Sequence, residues 1–261
     1  MAGLIFKPLS NDLYSIPKAQ IMFQPAGTDR LELLGDTDEV TLETTVEETE
    51  RYSNESGVRI LAKTIVTQVD ALLNMTLVQL SDRNRALSLL GEKVNLTQPA
   101  AVGTVKTFVG VEHTDKIYAL DALDVTNVVV TDGAGAVTYV LDVDYKLDGK
   151  AGFVQLINEP ALVDGDLEVT FDSTAILASA ELAKIGLANK TENRGKLIIR
   201  GTNEVGPKVM LVLHDVQLRP SGGRAYISET DLDTVEVEGR VFRDDGQPAG
   251  YELGYEQEIP A

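Results

Sequence analysis

Alternation of apolar and polar residues is the clearest signal along the chain, and it points to strands. In Val40–Glu47, the residues Val40, Leu42, Thr44 and Val46 fall on one side, and Thr41, Glu43, Thr45 and Glu47 on the other. A period of two with acids on one side predicts a strand with one buried and one wetted face. The polar stretch Glu50–Arg59 predicts a loop, and extended runs follow over Ile60–Val69 and Leu72–Val78. Ser81 is a good N-cap for a short helix reaching Leu90, and Asp82 suits its first turn. Ala86, Leu87 and Leu90 share one helix face, which is expected to pack on a sheet, and Gly91 suits the C-terminal cap.

The centre of the chain differs in composition. Between Ala100 and Ala175 there are four Lys, no Arg and thirteen acids. Val125–Thr131, Ala136–Leu141, Gly152–Ile157 and Asp166–Phe171 are predicted strands, set off by the turn pairs Asp132-Gly133, Asp148-Gly149 and Asp164-Gly165. Turn signals every 8–12 residues or so indicate a small all-β sandwich. The composition shift at both ends predicts a domain at 100–175 inserted into a discontinuous host made of 1–99 and 176–261. In the host's second part, Lys196–Gly201, Val209–Leu218 and Val235–Phe242 have strand character. Ile176–Ile185 fits weak helical spacing and an irregular strand equally. The fold class is therefore mainly β: a β-sandwich or barrel core with one short α-helix at about 81–90, plus an inserted small β-sandwich.

Length and composition narrow the function classes. A chain of 261 residues suffices for one large or two modest domains, and with no Trp and 5% aromatics its core must be mainly aliphatic. The absence of Cys excludes disulfides and thiolate metal sites. A net charge of -18 disfavours gripping the phosphates of nucleic acid. Met1–Leu13 is interrupted by Lys7, Pro8, Asn11 and Asp12 and lacks a signal-peptide core. No apolar run approaches the ~20 residues that span a bilayer, so the expectation is a soluble protein, or one built into an assembly, with no membrane partner.

Candidate chemistry is sparse. The two histidines, His113 and His214, are expected to be core or strand-surface residues. No Gly-x-Ser-x-Gly, Walker-type loop or His-Glu-x-x-His occurs. The spacing Asp142-x-Asp144-x-x-x-Asp148-Gly149 hints at calcium, but Lys146 stands at a ligand position and Leu147 where a calcium loop needs glycine. Solvated turn acids are the better reading. Glu43 and Glu47 share a strand face and suit a wetted surface better than an acid/base pair. Pro220–Arg224 is Gly-rich in the manner of a turn, and the sequons at Asn54, Asn74, Asn95 and Asn189 are attributed to chance. Catalytic residues, metal ligands and cofactors are not expected, and an enzyme is not the expected class.

Four segments taken in order carry a resemblance. They are Leu34–Leu42, a strand that follows a glycine, Glu55–Arg59 within a long polar hairpin loop, and Met75–Leu77 leading into the helix ending at Gly91. The last comprises Gly195–Asn203 with Val209–Arg219 and Val235–Asp244. In order and spacing they resemble the tail tube proteins, or major tail proteins, of bacteriophages with long, non-contractile tails. Through Asp142–Gly149 and Asp166–Phe171, the inserted section is similar to immunoglobulin-like β domains that decorate some tail proteins.

The resemblance implies a virion structural protein. Subunits would form hexameric rings, each giving strands to a continuous inner β-barrel with the helix packed outside. Rings would stack into a tube along a tape-measure protein, with tail initiator and terminator proteins as further partners and viral DNA in transient, non-specific passage. The location implied is the virion tail, assembled in the host bacterial cytoplasm. Glu43, Glu47, Glu236 and Glu238 would face the lumen, where like charge keeps DNA from sticking. Arg51, Tyr52, Ser53, Asn54, Glu55, Ser56, Gly57 and Arg59 would form a loop between stacked rings. Two other readings stand beside this one: a secreted bacterial β-sandwich adhesin, and the inner tube of a contractile injection machine.

Overall fold

Runs rich in Val, Ile, Leu and Thr form sixteen β-strands among the described residues, which are 14–53, 57–110, 112–159 and 165–260 of a computed structural model. The first part holds β1 (Ala19–Pro25), β2 (Glu32–Leu33), β3 (Thr37–Ser53), β4 (Ile60–Leu77), the helix α1 (Asp82–Ser88) and β5 (Lys93–Asn95). The middle holds β6 (Ala101–Phe108), β7 (Ile117–Ala119), β8 (Val125–Asp132), β9 (Tyr145–Asp148), β10 (Phe153–Leu156) and β11 (Leu167–Ser173). A 3-10 turn at Ala178–Ala180 leads to β12 (Ala183–Ile185). The chain ends with β13 (Arg194–Gly201), β14 (Val209–Pro220), β15 (Val235–Phe242) and β16 (Gly254–Glu258).

Contacts divide the chain into two compact units. One joins the residues up to Lys93 with those from Ile185 onward, and the other is Val94–Lys184. The limits expected from composition, 100 and 175, lie inside the second unit. Composition changes later than structure does, because the chain leaves and returns through the short paired strands β5 and β12.

The first unit is built on one open sheet with strand order β2-β1-β13-β14-β15-β4-β3. β14 also pairs with β16 along Val209–Leu213, next to the Asp215–Pro220 stretch that pairs with β15. Each pair of neighbouring strands in it is antiparallel, and among the described residues β3 is the last strand of the sheet, which does not close into a barrel. One face is apolar: Ile21, Phe23, Leu73, Met75, Leu77, Leu197, Val216, Leu218, Val235 and Val237 are buried there, and Leu87 of α1 joins their cluster. Burying a side chain of this kind contributes about 1.5–3 kcal/mol, so this layer of aliphatics carries most of the unit's stability.

Two expectations about α1 are corrected. The helix stops at Ser88, and the residue in left-handed conformation is Leu90 (φ 48), not Gly91. The Gly91 N–H donates to the Ala86 carbonyl at 2.8 Å and the Leu90 N–H to that of Leu87 at 3.1 Å, a Schellman cap with leucine where glycine is usual. Gly91 is glycine for a different reason: a Cβ there would lie 1.9 Å from the Gly186 carbonyl oxygen. Leu90 is accordingly half-buried outside the helix, while Ala86 and Leu87 pack inward as expected.

The second unit has two three-stranded antiparallel sheets, β6-β11-β8 and β7-β10-β9, around one core. Leu167, Val169 and Phe171 of β11 meet Val154 and Leu156 of β10 in that core. Ala136–Leu141 is not a strand. It makes only isolated bridges, Thr131 to Thr138 and Leu141 to Tyr145, because the backbone there folds back onto Asp132 and Asp144. Asp164, expected in a turn, lies outside the described residues.

Gly91→Ala is expected to destabilise the protein by about 2 kcal/mol or more, since the new Cβ meets backbone that cannot yield. Leu90→Gly relieves left-handed strain worth about 1–2 kcal/mol, so its urea midpoint should lie well above that of Gly91→Ala. The Leu96 N–H donates to the Leu182 carbonyl at 2.7 Å, closing the start of the second unit onto its end. Replacing residues 97–181 with a short Gly/Ser linker is therefore expected to keep the first unit folded, as a retained cooperative melt would show.

Candidate functional site

The surface of interest is built by the two longest strands. Extended runs expected at Ile60–Val69 and Leu72–Val78 are one strand, β4, because Val69, Ala71, Leu73, Met75 and Leu77 continue a single alternation with no turn residue between. Its partner β3 is nearly as long, and the two pair from Thr37–Leu77 to Ser53–Ile60. β15 pairs with β4 only over Leu72–Leu77. Beyond Leu72 the β3–β4 ribbon has no third strand among the described residues. It leaves the sheet as an arm roughly 35 Å long at about 3.3 Å per residue.

The arm is exposed on both faces. Leu42 is 38% exposed, Val46 51% and Val69 52%, and Ile60, Leu61, Ile65 and Val66 are exposed as well. This corrects the expectation that Val40–Glu47 has one buried face. Val40 is half-buried at the core margin, but past it nothing among the described residues covers the apolar side. The ladder shifts register between Glu47 and Glu48 and again between Arg51 and Tyr52, as β-bulges do.

Arg51, Tyr52 and Ser53 belong to β3 and not to a loop, opposite Lys63, Leu61 and Ile60. Gly57 and Arg59 lie in the exposed turn, and Asn54, Glu55 and Ser56 lie outside the described residues. The Arg59 guanidinium sits 5.4 Å from the Tyr52 ring centre. The Tyr52 hydroxyl donates to Glu50 Oε2 at 2.6 Å, and this bond with the adjacent Glu50 charge raises the Tyr52 phenol above its ordinary value.

The four acids assigned to one face do share a face. Glu43 is opposite Leu72, Glu47 opposite Gln68, Glu236 opposite Thr76 and Glu238 opposite Asn74, all on the side away from Leu73, Met75 and Val237. The face is not of one sign, however. Arg219 lies opposite Glu238, and the Arg240 Nε lies 3.2 Å from Glu238 Oε1. On β13, Lys196 and Arg200 alternate with the core residues Leu197 and Ile199, so this side runs from basic at β13 to acidic at β3. The cations were missed because the strand order that sets β14 and β13 beside β15 is not visible in local alternation.

Chemistry elsewhere resolves into structure. Asp144, half of the calcium-like spacing, accepts the Val140 N–H at 2.8 Å and the Asn158 amide at 3.2 Å, and Asp148 accepts the Ala151 N–H at 3.1 Å. Both fasten turns. His113 is buried. Its Nε2–H donates to the Gly165 carbonyl at 2.9 Å, so Nδ1 accepts from the Tyr118 hydroxyl at 2.6 Å. His214 rests on Tyr255 with ring centres 5.6 Å apart. Among the described residues no group of His, Asp and Glu is placed to hold a metal ion, and no helix is long and apolar enough to cross a membrane. A cleft of about 1220 Å³ in the first unit is lined by paired charges, including Arg83 with Glu32 at 2.5 Å and Lys93 with Asp82 at 2.7 Å. Burial holds the Arg83 guanidinium below its ordinary value while Glu32 opposes the shift.

The sequence pattern of the family described as protein of unknown function UCP028589 matches residues 19–255. The chain belongs to that family. The match begins at the first residue of β1, ends within β16 and includes the second unit. No curated protein matches the chain.

Glu50→Gln removes the acceptor charge beside Tyr52 and should return the Tyr52 phenol toward its ordinary value. An NMR pH titration of the tyrosine ring signals, wild type against variant, checks this. An unchanged Tyr52 midpoint would mean that the arm tip is not ordered as described.

Proposed function

We propose that the protein is a structural subunit that assembles with copies of itself into the tail tube of a bacteriophage with a long, non-contractile tail. Hexameric rings stack along a tape-measure protein, between tail initiator and terminator proteins, into a conduit for viral DNA. The observation that carries self-assembly is the arm: a ribbon of about 35 Å with aliphatic side chains exposed on both faces and, among the described residues, no third strand beside it. A two-stranded ribbon is marginal in water by itself, so this one is suited to being covered. The tail-tube identity rests on the resemblance carried by Leu34–Leu42, Met75–Gly91 and the β13–β15 segments.

Charge supports a head-to-tail arrangement over a symmetric pair. β3 holds six acids, Asp38, Glu39, Glu43, Glu47, Glu48 and Glu50, against one base, Arg51. Two β3 edges would repel each other. An acidic β3 edge meeting the opposite end of a neighbour's sheet, where β1 carries no charged residue, avoids that repulsion, and such heterologous contacts close into rings. In that arrangement Glu43, Glu47, Glu236 and Glu238 line the channel together with Arg219 and Arg240. Repulsion of DNA phosphates, screened over ~8 Å, is then moderated by the paired cations.

Wild-type protein is expected to form rings or tubes in negative-stain images at high concentration or with the tail initiator. Val46→Glu with Val69→Lys keeps an opposite-charge pair across the ladder, and both positions are exposed. Its stability should stay within about 0.5 kcal/mol of wild type, while assembly is lost. A wild-type protein that sediments as a monomer at every concentration, with the other tail proteins present, would end the reading.

A further inference from the structure

The structure assigns a partner to the arm tip: we infer that it docks on the loop between β14 and β15, residues 221–234, of a second copy of this chain. The inference rests on the self-assembly reading above and names the surfaces that meet along the strand direction.

The two features leave the sheet at opposite ends. β4 starts at the arm tip with Ile60 and finishes at Leu77, which lies opposite Val235. The segment leading into Val235 therefore departs from the end remote from the tip. A copy displaced along the strands brings its loop to its neighbour's tip, a heterologous contact that repeats without limit along an axis.

The loop is a shaped projection. Arg224 Nε and Nη2 both donate to Asp233 Oδ2, at 2.9 and 2.8 Å, and this largely buried pair closes its base. Outside the clamp stand Tyr226, Leu232 and Ile227, the last 94% exposed. Few soluble surfaces hold an isoleucine so far into water beside two further large apolar side chains. The arm tip offers the matching apolar groups, Tyr52, Ile60 and Leu61.

Charge selects the same partner. The chain carries -18, yet residues 50–63 have three bases, Arg51, Arg59 and Lys63, against two acids, Glu50 and Glu55, and Arg51 and Lys63 lie directly opposite each other across the ladder. Like charges in that relation are destabilising unless an anion comes between them. Among the described residues none of the three makes an ion pair. The loop supplies exposed acids at Glu229 and Asp231, while its one base, Arg224, is committed to Asp233.

The chain has no cysteine, so engineered thiols report the contact without ambiguity. Ile60→Cys and Ile227→Cys are made separately and together in the full chain and oxidised at assembling concentration. Expected are dimers from the mixture of the two single variants, a ladder of covalent multimers from the double variant, and no cross-link from either alone. Asp231→Arg is expected to weaken assembly roughly tenfold, and adding Arg51→Glu with Lys63→Glu to recover it. Assemblies that sediment normally but give no cross-link in the mixture, or Ile227→Cys protein that links to itself, would overturn the docking while leaving self-assembly intact. Absence of any assembly by sedimentation would sink both.

Discussion

Backbone hydrogen bonding sets the terms for this chain. A β-strand has two sides of donors and acceptors, and each side needs a neighbour or water. β4 meets β15 on one side only as far as Leu72, whereas β3 follows it on the other side to the tip. The first unit's core cluster, with Leu87 of α1, includes the β4 residues Leu73, Met75 and Leu77, where both sides of β4 are occupied. Everything beyond depends on one ladder. The same strand is thus half interior and half exposed, and Ala71 marks the change: it is buried, while Val69, next along on the same face, is 52% exposed.

Local alternation made the strands legible, and it erred where tertiary context takes over. Val235–Phe242 was expected with the bounds it has, and the face separating Val235 and Val237 from Glu236 and Glu238 follows from parity alone. Parity cannot say whether an apolar face is covered, which is why Val46 looked buried. Glu50, Arg51, Tyr52 and Ser53 looked like a loop because their side chains are polar, but in a free-standing ribbon polar side chains cost a strand nothing. Gly91 was given a capping role that Leu90 fills, since close approach to Gly186 is a contact between residues far apart in sequence.

The polar motifs read as turns, and the structure shows why. Aspartates cluster at turns because a carboxylate can bind nearby backbone N–H groups, and Asp132, Asp144 and Asp148 all do so. A spacing that hints at a cation is in this fold the by-product of successive turns at the ends of short strands. The charges on the large sheet were half legible: the acids of β3 and β15 stand out in sequence, while the balancing Arg219, Lys196 and Arg200 acquire meaning only from strand order.

The two register shifts in the arm bear on which surfaces can lie along it. Straight, flat ribbons with aliphatic faces can add copies endlessly in any direction, which is the geometry of amyloid. Each bulge adds right-handed coil to a ribbon and bends it out of plane. Only a surface with matching curvature can then lie along it, and misaligned copies leave gaps that water fills. The irregularities at Glu47/Glu48 and Arg51/Tyr52 thereby narrow the surfaces that fit the arm and set it apart from a flat ribbon that adds copies in any direction.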